Sequence, residues 1–254
     1  MTALFWKVVE RDVMAYRRMW LIFLTGFLEP VFFLLSIGLG VGHLVGRVHG
    51  PSGSAVDYQA FVAPGLLAAT AMNGAVFDAT FNFFFKYKYS KSFAAMLATP
   101  LGTHDVAHGE LAWSLLRGTT YSGAFLVTMA ALGLTGSPWA VLGLPAAALI
   151  GFAFAGAGMA ATTWMRSFVD FDYVNLTLIP LFLFSGTFFP LEQYPTGLQW
   201  LVRCTPLYQG VSLERALVLG HVEPVILVHV AYLAVMGTVG LRIAGRRLAL
   251  LLQP

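Results

Sequence analysis

Apolar residues fall along this chain in long runs, and polar or Pro/Gly-containing breaks divide those runs into six. A bilayer core of roughly 30 Å takes about 20 apolar residues as helix, and each run comes close to that length. The pattern therefore predicts an all-α integral membrane fold of six transmembrane helices, at residues 20–45, 60–85, 111–134, 139–164, 171–189 and 224–243. A tight turn from Thr135 to Pro138 joins the third and fourth.

Three stretches follow a different pattern. In residues 1–19, at 100° per residue, Phe5, Val9, Val13, Tyr16 and Trp20 share one face and Lys7, Glu10, Arg11, Arg17 and Arg18 the opposite one. That is an amphipathic helix lying along the membrane interface, either a plain anchor or a docking surface for a cytoplasmic partner. It carries acids among its bases and no short apolar core before a cleavage site, so no cleavable signal peptide is expected. Residues 86–110 open with Lys86, Lys88 and Lys91 and lead into a short helix-prone segment that Thr99-Pro100 should end. Its apolar face, Phe93 with Met96 and Leu97, needs burial against the N-terminal helix or another protein, and a nucleotide-hydrolysing subunit would fit. Residues 190–220 contain Pro190, Pro195 and Pro206 and two apolar stretches, Leu198 to Val202 and Tyr208 to Leu219, each too short to cross. They read as short outer re-entrant or surface helices capping an opening, or as an ordered loop.

Composition places the chain in lipid. With 254 residues, 58% hydrophobic, 11% charged and a mean hydropathy of +0.75, it has too little polar surface to cover a soluble globule. A net charge of +3, scattered along the sequence, excludes a nucleic-acid-binding face. A single cysteine, Cys204, excludes an internal disulfide and a cysteine-cluster metal site. Lys and Arg resist translocation. With both termini inside, eleven cations (Lys7, Arg11, Arg17, Arg18, Lys86, Lys88, Lys91, Arg166, Arg242, Arg246 and Arg247) are cytoplasmic, and three (Arg47, Arg203 and Arg215) are outside.

Ionisable groups at membrane depth are costly and mark candidate functional positions. Glu29 precedes Pro30 near the middle of the first span, where the proline frees a carbonyl and marks a kink, pointing to a structural or gating role. Asn73, Asp78 and Asn82 form a polar stripe on the second span, which either lines a translocation path or pairs with a neighbouring helix. Arg117 is expected to snorkel to the inner headgroups, and His229 to pack. Gly38, Gly40, Gly42 and Gly46 permit close helix approach, the last two at small-xxx-small spacing.

Other chemistry is absent or out of context. No phosphate-binding GxxxxGK[ST] loop occurs, so this chain binds no nucleotide of its own by that means. His104 and His108 stand at i, i+4, but only Asp105 and Glu110 are near to complete a metal site, and no metal is expected. Gly50-Pro-Ser52-Gly53 matches the GxSG of rhomboid-type intramembrane proteases, with His229 as partner, yet the serine falls in an outer loop instead of starting a buried helix.

The segment Pro180-Leu-Phe-Leu-Phe-Ser-Gly-Thr-Phe-Phe-Pro-Leu191, then Pro195, Leu198 and Pro206-Leu-Tyr208, resembles the signature of ABC type-2 exporter permeases. Ala63-Pro-Gly-Leu-Leu67 with Met72, Ala98-Thr-Pro-Leu101 and Gly109-Glu110 resemble the nodulation-factor (lipooligosaccharide) and daunorubicin-type branches. The likeness covers nearly the whole chain; it departs where the family's cytoplasmic loop often begins with Arg and this chain has Lys86 and Lys88. The resemblance implies a permease without enzymatic activity, working as two copies, homodimer or close paralogues, with two ABC ATP-binding subunits that hold ATP and Mg. It implies export of an amphiphile across the cytoplasmic membrane. Phe93, Met96, Leu97, Thr99 and Pro100 would contact the ATPase through a coupling helix braced by Glu110. Asn73, Asp78, Asn175 and Phe182 would line the path, with Glu29 and Pro30 at the gate and Phe189, Pro190, Pro195 and Pro206 in the outer lid. The competing expectation is a channel or secondary carrier driven by an ion gradient, with Glu29 or Asp78 as the coupling carboxylate; no inverted repeat supports it.

Overall fold

The computed structural model describes residues 4–17, 20–50 and 55–252; Arg18 and the Ser52 of the GxSG match lie outside them. Helix α1 (Phe5–Tyr16) is followed by α2 (Trp20–Ser36), which runs through a π-helical turn at Ile37–Val41 into α3 (Gly42–Val45). Gly46, at φ +67°, ends that helix, and strands β1 (Arg47–His49) and β2 (Ala55–Asp57) pair antiparallel with Val48 opposite Val56. The fold is thus mostly helical but not all-α. The polar loop after the first span has no apolar run to sustain a helix, and a positive φ favours glycine at the turn.

Helix α4 (Tyr58–Phe77) continues through π-helical turns at Asp78–Asn82 and Phe85–Tyr89, and the short α5 (Ser92–Leu97) follows. Then come α6 (Thr103–Ala131), α7 (Gly143–Thr162) behind a 3-10 turn at Pro138–Leu142, α8 (Phe171–Leu183), α9 (Thr196–Cys204), α10 (Pro206–Leu219) and α11 (Ile226–Leu252). Among the described residues, three helical stretches are long and apolar enough to cross a membrane: Tyr58–Tyr89, Pro138–Thr162 and Ile226–Leu252. The unbroken helix expected over 171–189 stops at Leu183. Thirteen residues reach only about 20 Å. Pro180 lies in its last turn, Gly186 takes φ +73°, and the Ser185 and Thr187 hydroxyls bond each other in a buried turn. Mean hydropathy does not register such a turn.

The closest helix contact is between α7 and α11, where Gly156 meets Gly237 and Gly240 backbone to backbone. Within this chain, three of the four glycines expected to serve this purpose do not. A Cβ at Gly40 or Gly46 would meet nothing within 4 Å, and one at Gly42 only a carbonyl of its own helix at 3.6 Å; Gly38 alone is close, to the Gln59 side chain. The spacing of small residues allows an approach, but a partner helix has to be there to make it.

Candidate functional site

Two constructions occupy the molecule, a charged platform at the α5 end and a groove between α2, α4 and α8. The platform starts with α1, which lies on α6 where Gly109 leaves room for Val8; a Cβ there would stand 2.5 Å from that of Val8. This seating rotates the helix from the expected face. Val8, Val9 and Asp12 are buried, and Val13 is exposed.

The rotation turns Arg11 and Asp12 inward. Arg11 Nη2 bonds Asp12 Oδ1 at 2.6 Å and Glu110 Oε1 at 3.1 Å, while Lys86 Nζ bonds Asp12 Oδ2 at 2.8 Å and Glu110 Oε2 at 2.6 Å. Two acids and two bases thus tie α1 to the end of the α4 stretch and the start of α6. Burial pushes the Glu110 carboxyl up to about 7; Lys86 pulls against this and the nearby Asp12 adds to it.

Helix α5 rests on this cluster. Phe93 is fully buried edge-on to Phe83, with centroids 5.0 Å apart, and Met96 is buried with its Sδ accepting from Arg11 Nη1 at 3.5 Å. The outward contacts expected of Phe93 and Met96 are therefore corrected: both side chains fill the chain's own core, beside Val8, Val106 and Leu248. Leu97 is half-buried, and Ala94, Ala95, Ala98, Thr99 and Pro100 form the exposed side. Thr99 Oγ1 donates to the Met96 carbonyl at 2.5 Å, closing the helix ahead of Pro100 as the Thr-Pro pair predicts.

The groove has a volume of about 540 Å³ and is lined by Glu29, Pro30, Asn73, Asn175 and Phe182 among others. Five expected positions from three spans meet there. Phe33, Phe182 and Phe188 cluster at one end, with centroids 5.1 to 6.1 Å apart. Phe81, Phe168 and Phe171 cluster at the other, with centroids 5.4 to 6.0 Å apart. The polar groups of Glu29, Asn73, Asn175, Arg117 and Tyr121 contribute to the lining as well.

Asp78 is not among the lining residues. It is buried behind the groove wall, where Arg117 Nη1 bonds its Oδ1 at 2.8 Å and Asn82 donates to the same oxygen. Arg117 does not snorkel; it is buried, lines the groove, and its Nε donates to Tyr121 Oη at 2.7 Å. The guanidinium finds a carboxylate at its own depth, which outweighs reaching for headgroups. A sequence signal for this pair existed. Asp78 lies seven residues before the expected end of its span at 85, and Arg117 six residues after the start of the next at 111, so adjacent antiparallel spans put them level.

At the far end from α5, the stretches expected at 198–202 and 208–219 are α9 and α10. Phe189 and Pro195 are exposed, Pro190 is buried, and Pro206 opens α10. Arg215 is no outer-loop cation. It is buried, its guanidinium donates to the Gly186 carbonyl at 2.8 Å and the Phe61 carbonyl at 3.3 Å, and it stands 3.9 Å from the Phe61 ring centroid. His229 bonds the Gln209 side chain, and among the described residues no group of three or more His, Cys, Asp or Glu is placed to hold a metal ion.

The profile of the family described as ABC-2 type transporter matches residues 3–219, from before α1 to the end of α10. The chain belongs to the ABC-2 type transporter family. Among curated proteins it is similar to Nodulation protein J of Rhizobium leguminosarum bv. trifolii, 35% identical over 230 residues, 90% of this chain and 86% of that one. It is similar also to Nodulation protein J of Rhizobium leguminosarum bv. viciae, 32% identical over 233 residues, 91% and 88% of the two chains. The same protein of Rhizobium meliloti (strain 1021) is 32% identical over 215 residues, 84% and 80%. The permease is therefore a multi-pass membrane component of an ABC exporter and not itself an enzyme, in the nodulation and lipooligosaccharide branch that its motifs resemble. A carrier driven by an ion gradient does not fit that membership.

Proposed function

We propose that this permease works as one half of an ATP-driven exporter in the cytoplasmic membrane, two copies joining two ATP-binding subunits to move an amphiphile outward. Both termini face the cytoplasm and the chain crosses six times, α8 completing its crossing with the turn at 184–189. The observation that carries the reading is the platform. A short helix, α5, is seated on a buried ion cluster that also grips α1 and α6, and it leaves a smooth outward surface of Ala94, Ala95, Ala98, Thr99 and Pro100. A push on α5 is then passed to three elements at once, because each acid is shared by both bases and pulling any one element away leaves buried charge short of its partners.

The groove supports the cargo class. Aromatic walls at both ends with amide, carboxyl and guanidinium groups in the lining accept a ligand with apolar and polar parts. Glu29 and Asn175 are on opposing helices across it. ATP binding would act through different contacts in inward- and outward-open states.

The test is purification of this chain in gentle detergent after expression with its chromosomal neighbours, with co-purification of an ATPase as the readout. Ala94→Glu or Ala98→Glu should release the ATPase by at least about tenfold while leaving the permease folded, a cost of about 1.4 kcal/mol of binding. Undiminished capture of the ATPase by both variants would remove α5 from the interface and the coupling role with it.

A further inference from the structure

Helix α10 carries a buried acid that no other group among the described residues answers. Glu214 is fully buried, and neither oxygen of its carboxyl has a hydrogen-bond partner. Its surroundings are apolar. A Cβ on Gly143, at the start of α7, would stand 2.9 Å from Glu214 Oε2, with Leu67 of α4 and Leu126 of α6 at the same spot. Arg215, next in sequence, sends its guanidinium to the carbonyls of Phe61, Gly186 and Thr187 instead. No charge on α4, α6, α7 or the turn before α7 acts on the carboxyl. An unpaired carboxylate in such a pocket is far costlier than the neutral acid, so the seated group keeps its proton.

The helix around it is bounded by two breaks in the helical ladder. Thr205, in extended conformation, precedes Pro206 at one end, and Gly220 at φ +84° closes the other.

We infer that Glu214 is a proton-binding site that latches α10 in its seat. With the proton on, the neutral side chain packs between α4, α6 and α7. When the carboxyl gives its proton to water, the carboxylate is stable only with α10 displaced toward solvent. The inference rests on the packing of α10 alone and stands independently of the export reading. In the displaced state the carboxyl has an ordinary acidity of about 4.3. Above that, each pH unit favours displacement by about tenfold until the group ionises in its seat.

The full chain in detergent supplies its own reporter and reference. Val218, fully buried on α10, is replaced by cysteine; Cys204, exposed just before α10, remains as the reference thiol. Both are labelled with a maleimide and followed separately by peptide mass spectrometry, so that the ratio of rates cancels the ionisation of the thiols themselves. With Glu214 present, the ratio for Val218→Cys over Cys204 should rise about tenfold per unit between about pH 6 and pH 8. In Glu214→Gln it should be flat. Glu214→Leu, which fills the seat with no polar group to satisfy, should be flat as well and carries the comparison on its own. A ratio that does not change with pH when Glu214 is present, or one that rises as steeply in Glu214→Leu, overturns the proposal.

Discussion

Both ends of the permease bury acids and bases, and they neutralise them differently. At the α5 end, Asp12 and Glu110 share Arg11 and Lys86, so four side chains from three distant stretches satisfy one another. At the α10 end, Glu214 and Arg215 are neighbours in sequence yet do not pair: the base is held by backbone carbonyls, and the acid has no hydrogen-bond partner among the described residues. A paired cluster fixes the mutual position of the elements that supply it, since each charge is tolerable only with its partners in place. A group held by apolar packing fixes position only while it stays neutral. The α5 end is thus suited to transmit a displacement, and the α10 end to permit one.

The largest effect that would break this contrast is expected at Lys86. Lys86→Met leaves Asp12 and Glu110 buried with Arg11 alone, and should cost about 3–5 kcal/mol in unfolding free energy, with loss of the ATPase in co-purification. A change under about 1 kcal/mol would mean the cluster behaves as a surface network and transmits nothing. Next is Arg215→Met, which removes the donor to three backbone carbonyls and should cost about 1–3 kcal/mol in thermal or denaturant unfolding. A neutral result would show that water replaces the guanidinium and that the turn at 184–189 is held elsewhere. Gly240→Ala should cost a comparable or smaller amount, about 1–3 kcal/mol, because its Cβ would overlap the Gly156 peptide; Gly42→Ala, in the position the spacing pattern favoured, should be close to neutral.

The smallest effect is in pH dependence and sharpens the comparison most. Glu110 titrates at about 7 in the fold and at its ordinary 4.5 when unfolded, so its contribution is complete below that lower value and is lost as pH rises through about 7. The melting temperature should fall by a few degrees between about pH 5 and pH 7. In Glu110→Gln that fall should shrink, and an identical fall in the variant would show that another group titrates.

Much of the architecture can be read from the sequence because burial in lipid leaves a composition signal along whole runs. Residues 20–45 are helical from end to end, and Asn73, Asn175, Glu29 and Phe182 do converge on one groove. What escaped depends on two-body facts that no run of residues records. Arg117 was assigned to headgroups because its partner lies 39 residues away on another helix. For Phe93 and Met96 the apolar face shows that burial is needed and leaves open whether the N-terminal helix or another protein supplies it; the chain's own core, with Val8 of α1, does. Nothing in the sequence marks Glu214 as buried, because a carboxyl before an arginine has the pattern of a surface pair.

The contact of α7 with α11 limits what the rest of the molecule can do. Gly156 and Gly240 meet backbone to backbone, and the Phe152 ring packed on Gly237 fills what space is left, so little in the contact can give to absorb a twist. The two helices can neither roll nor slide past one another without coming apart. In the proposed export cycle such a pair would serve as the stator, leaving the change of access to helices that line the groove, α2 with its proline and α8 with its early end.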